Sequence, residues 1–98
     1  MYYVYFLLLK NKQIYTGTAK NLKRRIYEHK NGKVRSTKNK RPIKLIHYEA
    51  YLLKSDALRR EKFLKTTEGK RLIKQQLRDL LELLKAGSPY HSIGRHVE

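Results

Sequence analysis

The chain contains no cysteine and no tryptophan, only one methionine, two prolines and five glycines in 98 residues. Without cysteine there are no disulfides, no thiolate nucleophile, no iron–sulfur cluster and no thiolate zinc site, so any metal must be held by oxygen or imidazole. Acid is scarce too. Eight Asp and Glu face 24 Lys and Arg, a formal charge of +16. Long hydrophobic runs are also missing. The longest, Val4 to Leu9, falls far short of the ~20 residues of a membrane span. No basic stretch precedes it and no small-residue cleavage site follows, so it does not read as a signal peptide.

What is present looks globular. Apolar residues make up 40% of the chain and charged residues 33%, and a chain of this size forms one domain. An excess of positive charge this one-sided attracts polyanions, which makes nucleic acid the expected partner. The composition reads as a soluble, cytoplasmic domain.

Tyr2 to Leu9 is apolar or aromatic at every position, the pattern of a strand covered on both faces. After the polar break at 10–13, Ile14-Tyr15-Thr16 resumes strand character and stops at Gly17, so 2–16 reads as a hairpin. Asn21 is placed to cap a helix running to about Lys30. Residues 31–42 read as a basic loop closed by Pro42, and Ile43 to Leu53 as a third strand. Ser55 is placed to cap a helix through Lys65. Thr66 or Thr67 is placed to cap another, from about Glu68 to Ala86, ended by Gly87-Ser88-Pro89. The order β-β-α-β-α-α is a small α/β fold of the α+β type with an antiparallel sheet. Its domain spans 1–86, followed by a tail at 87–98. His91 and His96 in that tail are not read as a metal site.

Polar residues interrupt two helical stripes. Arg25 and His29 share one face of the first helix with Leu22 and Ile26, which must pack inward. Glu61 falls on the apolar stripe of the second helix with Ala57, Leu58 and Leu64. A buried charge needs a partner, so Glu61 either pairs with Arg25, caps a core hydrogen-bond network, or serves a metal or catalytic role. Eight tyrosines are a further anomaly. Tyr3 and Tyr5 share a strand face with Tyr15 nearby, whereas Tyr2, Tyr27, Tyr48, Tyr51 and Tyr90 read as filling for sheet and surface.

Tyr3-Val4-Tyr5, Tyr15-Thr16-Gly17, Arg25, His29 and Glu61, with the flanking segments Leu22 to His29 and Ala57 to Lys62, resemble the GIY-YIG nuclease superfamily. The likeness is to its small single-domain bacterial branch, the UPF0213 or YhbQ-like proteins, and covers about residues 2–75. It implies a three-stranded antiparallel sheet flanked by helices, and a divalent-metal-dependent endonuclease acting on DNA, with structure or single-strand selectivity within its range. Tyr5 matches the last position of the first motif and Tyr15 the first of the second. Gly17 matches the glycine that lets backbone approach the phosphate, Arg25 the motif arginine, His29 the residue one turn later, and Glu61 the metal-binding glutamate. Tyr3 replaces a glycine and Thr16 an isoleucine. Asn11-Lys12 stands where relatives often carry Asp-Gly, and no late asparagine is evident.

The chemistry this implies is specific. Glu61 holds Mg²⁺ (or Mn²⁺), with water and substrate oxygens completing the shell. Arg25 grips the scissile phosphate through its planar fork. Tyr15 activates water, His29 is its partner or a proton shuttle, and Tyr5 orients phosphate or water; which of the three takes the proton stays open. Residues 20–44 hold eleven Lys and Arg against the single acid Glu28. Lys23, Arg24, Lys33, Arg35, Lys38, Lys40 and Arg41, with Gly17, are the candidate nucleic-acid contacts. The competing reading is a non-catalytic basic module binding DNA or RNA, but a carboxylate among phosphate-seeking cations has no use in a pure binder. A monomer is expected rather than a homodimer. The Ile73, Leu77, Leu80, Leu84 stripe covers the sheet, or its end pairs with a second copy.

Overall fold

The structure is a computed structural model and describes residues 1–85. The end of the expected domain at Ala86, the tail at 87–98, Tyr90, His91 and His96 lie outside the described residues.

Strand β1 (Tyr2–Leu8) is the centre of a three-stranded sheet in the order β2-β1-β3, antiparallel throughout. It pairs with β2 (Ile14–Ala19) and β3 (Lys44–Tyr51). Alternation along β1 splits its side chains between two cores. Val4 and Phe6 pack with Ala57, Leu64 and Ile73, while Tyr5, Leu7 and Leu9 pack with Ile26 and Ile43. Both faces are covered, as the unbroken apolar run predicts.

Helix α1 (Leu22–Lys30) lies on the Tyr5 face. Its cap is Asn21, whose side chain accepts from the Arg24 N–H at 3.0 Å. Helices α2 (Lys54–Leu64) and α3 (Thr67–Gln76) cover the other face. The α2 start differs from expectation: Leu53 is the capping position, without a side-chain bond, and Ser55 lies inside the first turn. Thr66 caps α3 as expected, accepting from Gly69 N–H at 3.1 Å. A side chain at Gly69 would run into the Phe63 carbonyl, so glycine is what lets α3 fold back on α2.

Two boundaries are corrected. The helix expected over 68–86 is two helices, because Leu77 leaves helical geometry and α4 (Arg78–Lys85) starts afresh. No proline or glycine marks that break. Leu77 itself packs against the Val4–Phe6 core, and Leu80, Leu81, Leu83 and Leu84 are half-buried. Strand β2 does not stop at Gly17 but runs on to Ala19. Gly17 pairs with Tyr5 inside the ladder, and a Cβ there would lie 2.5 Å from the Tyr5 oxygen. The glycine is a seat for a ring rather than the end of a strand.

Candidate active site

Gly17's missing side chain lets the Tyr5 phenol lie flat across β2 and reach toward α1. There the spacing of four between Arg25 and His29 puts both on the flank that meets it. His29 is fully buried, at 0% exposure, and both ring nitrogens are used. Nε2 lies 2.8 Å from Tyr5 Oη, and Nδ1 lies 2.7 Å from Thr37 Oγ1. The positive charge of Arg25 also acts on the Tyr5 oxygen. A hydroxyl hydrogen turns away from a neighbouring cation, so beside Arg25 the Tyr5 hydroxyl donates to His29 Nε2. His29 then carries its hydrogen on Nδ1 and donates to Thr37. Every group in the chain is satisfied, and no buried side-chain nitrogen or oxygen among the described residues lacks a partner.

The electrostatics agree with a neutral relay. Burial, reinforced by the Arg25 charge and only partly opposed by Glu28, pushes His29 down to about 4. Burial likewise raises Tyr5 to about 12 although Arg25 pulls the other way. At neutral pH Tyr5 is a phenol and His29 an uncharged imidazole.

Tyr15 stands beside them, its ring centroid 6.3 Å from Tyr5 and 5.3 Å from His29. It is half-buried, and its hydroxyl accepts from Ser36 Oγ at 3.4 Å. Glu61 enters from α2, and its negative charge contributes to raising Tyr5. Thus Tyr5, Tyr15 and His29 are in mutual ring contact, Arg25 acts on Tyr5 and His29, and Glu61 acts on Tyr5 through its field rather than by contact. The pairing of Glu61 with Arg25 does not occur. Arg25 Nη1 bonds Glu28 at 3.0 Å, and Glu61 bonds Lys65 Nζ at 3.1 Å, one turn along its own helix.

Two partly buried carboxylates separate cleanly in what they can still accept. Glu49 takes two bonds of 3.0 Å from Arg60 and one of 2.7 Å from the Tyr51 hydroxyl, so its lone pairs are engaged. Glu61 has Lys65 alone, and that lysine's side chain is 56% exposed and free to swing into water. No group of three or more His, Cys, Asp or Glu among the described residues could hold a metal ion. An ion here would have Glu61 as its protein ligand and an otherwise open shell, a donor set that fits Mg²⁺, which keeps several waters.

The candidate cations are all on the surface but are not equivalent. Lys23, Arg35, Lys38 and Lys40 are exposed and make no ion pair among the described residues. Lys33 sits over the Tyr27 ring, 5.5 Å from its centroid, and Arg24 lies 3.8 Å from Glu28. Arg41 is committed to structure. It donates to the Lys38 and Lys30 carbonyls and folds over Gly32, whose φ is +71°. The 31–42 loop is therefore more than solvated charge. It contains a 3₁₀ turn (Lys38–Lys40), and Val34 and Thr37 are buried. Thr37 and Ser36 escaped the reading of the sequence. The one available signal was Val34 and Thr37 three apart, an inward-facing pair inside a basic run.

The GIY-YIG catalytic domain family profile matches residues 1–75. The UPF0213 protein of Staphylococcus saprophyticus is 38% identical over 74 residues, covering 74% of this chain and 90% of the relative. That of Syntrophus aciditrophicus is 41% identical over 78 residues, with the same two coverages of 74% and 90%. Among solved structures, the solution structure of a UPF0213 protein from Bacillus halodurans superposes with a TM-score of 0.51 at 31% identity. It covers 78% of this chain and 85% of that one.

Proposed function

This chain belongs to the GIY-YIG catalytic domain family, in its UPF0213 branch, and from that premise we propose that it hydrolyses phosphodiester bonds in DNA with one divalent cation, Mg²⁺ or Mn²⁺. The observation that carries the reading is the satisfied Tyr5–His29–Thr37 chain beside Arg25, with the under-used Glu61 carboxylate near it. A divalent ion held by Glu61 would supply positive charge to the phosphate oxygens.

The remaining work falls to the chain's own groups. Arg25 presents a planar fork to the non-bridging oxygens, and its side chain is open enough to solvent to reach them. Tyr5, 1% exposed and locked as a phenol, is not the base and fixes the polar face between His29 and Arg25. His29 touches no solvent, so it acts through Tyr5 as a positioning residue. Tyr15, half-buried and in ring contact with both, is the hydroxyl placed to hold the attacking water. Exposed cations on α1 and the 31–42 loop grip phosphates without reading sequence.

The test is cleavage of fluorescent single-stranded, duplex and forked DNAs with Mg²⁺ or Mn²⁺ against an EDTA control. Glu61→Gln should reduce cleavage to background while binding stays equal or tightens, because a negative charge leaves the contact face. Unchanged cleavage by that variant discards the ion-holding role. Inactivity of the intact protein on every substrate leaves the non-catalytic binding module.

A further inference from the structure

Helix α1 has a second flank. At about 100° per residue, Arg25 and Tyr27 diverge to opposite sides of Ile26, which faces the sheet. Arg25 and His29 look toward Tyr5. Lys23, Tyr27 and Lys30 look the other way, over an open groove of about 950 Å³ between α1 and strands β1 and β3. Three tyrosines, Tyr3, Tyr27 and Tyr48, and three lysines, Lys20, Lys23 and Lys30, line it, and no acid does.

The aromatic rings are not core filling. Tyr27 is 59% exposed, with Lys33 over one face of its ring, and Tyr48 is 52% exposed. Tyr3 meets Tyr48 edge to face at 5.8 Å, which steadies the Tyr48 ring while leaving much of it open. Exposed rings with fixed orientation between cationic rims are what unpaired bases need: a π-face for each base and a positive track for its phosphates. A duplex has no use for them, because its bases already stack on each other. The groove also leads to the catalytic flank. Lys20 borders both the groove and the depression that contains Arg24, Arg25 and Glu28, around the N-terminal end of α1.

We propose that this groove binds single-stranded DNA, stacking unpaired bases on Tyr27 and Tyr48 and passing the strand over Lys20 to Arg25. The proposal rests on the nuclease reading for its choice of DNA, and it extends that reading to an unpaired strand beside the cut. It is tested without catalysis. Fluorescence anisotropy in EDTA compares oligothymidylate, oligouridylate and a short duplex on the intact chain and on Tyr27→Ala and Tyr48→Ala, with circular dichroism to verify folding. Both side chains are exposed, so both variants should fold. Each should weaken oligothymidylate binding about ten-fold, leave duplex binding unchanged, and be rescued by Tyr→Phe, which keeps the ring.

Equal losses on duplex and single strand, or none, overturn the groove even if the protein cleaves DNA. Tighter, ring-dependent binding of oligouridylate overturns DNA as the occupant. Ring-dependent oligothymidylate binding in a protein that cleaves nothing upholds the groove and removes only the nuclease reading.

Discussion

The two faces of β1 are built one residue apart and to different rules. Val4 and Phe6 look onto Ala57, Leu64 and Ile73, and among the described residues the one buried polar residue on their face is Thr16, across the ladder from Phe6. Tyr5 and Leu7 look onto Ile26 and Ile43, but also onto His29 and Thr37, two of the three buried polar residues among those described. The first face holds by volume: what it lacks in directionality it makes up in contact. The second holds by pairing, since each nitrogen and oxygen there depends on a named neighbour. A volume-held face fails when atoms are removed, whereas a pair-held face fails when a single partner is lost. The proposed site lies on the second, because only paired polar groups offer fixed donors and acceptors to a substrate.

The sharpest test sets Phe6→Ala against Tyr5→Phe. Phe6 is fully buried, and its truncation should destabilise by about 3–5 kcal/mol, a large part of the ~5–15 kcal/mol a domain has. Tyr5→Phe keeps the ring, orphans His29 Nε2, and should lose about 1–3 kcal/mol while cleavage falls steeply. Urea midpoints rank the two. If Tyr5→Phe is the more destabilising, the division into a volume face and a pairing face is wrong.

Arg25→Lys probes the mouth of the polar face. The charge stays and the planar fork goes, so the melting temperature should hardly move while the cleavage rate falls about a hundred-fold. An unchanged rate would mean that Arg25 contributes charge alone.

Acid should find the polar face before the apolar one. His29 is held down at about 4 from an ordinary 6.5, so the unfolded chain takes up a proton at pH values where the folded chain refuses it. The stability this gives is complete above pH 6.5 and is lost as pH falls from 6.5 toward 4, about 3 kcal/mol in all. Glu49, lowered below 4.5 by Arg60 and Tyr51 against the effect of its burial, gives way only below its ordinary value. Urea midpoints between pH 7.5 and 4 should show the His29 phase first, and His29→Gln should flatten it. A flat profile in the intact chain would contradict a buried neutral imidazole.

How much of this was legible in the sequence follows the same division. The doubly covered strand, the Asn21 cap, the β-β-α-β-α-α order and the adjacency of Arg25 and His29 are matters of local pattern, which can be read from one chain, whereas the three-stranded sheet flanked by helices followed from the family resemblance. Glu61 stood out as a carboxylate on an apolar stripe, though its partner proved to be Lys65. What could not be read depends on neighbours distant in sequence. Gly17 looked like a stop because nothing local says that Tyr5 will lie over it. Thr37 carries no local mark because it sits among lysines in a basic loop. Tyr27 and Tyr48 looked like filling, yet the path of α1 leaves their rings exposed. The break at Leu77 has no local signal at all.

Thr37 is where the smallest change discriminates best. Thr37→Val exchanges a hydroxyl for a methyl of nearly the same size, so packing around Val34 and the 3₁₀ turn is kept. His29 Nδ1–H then points at carbon, and a buried donor left unpaired loses about 1–3 kcal/mol. The same loss removes what fixes the ring's hydrogen on Nδ1 and its acceptor nitrogen toward Tyr5. Thr37→Ser does the opposite, keeping the oxygen and giving up a methyl, for about 1 kcal/mol of packing. A residue that merely fills space should tolerate valine better than serine. A residue that orients His29 should tolerate serine better than valine, both in melting temperature and in the rate of DNA cleavage. The order of the two variants decides whether the polar face ends at His29 or extends, through a hydroxyl hidden in a basic loop, to Thr37.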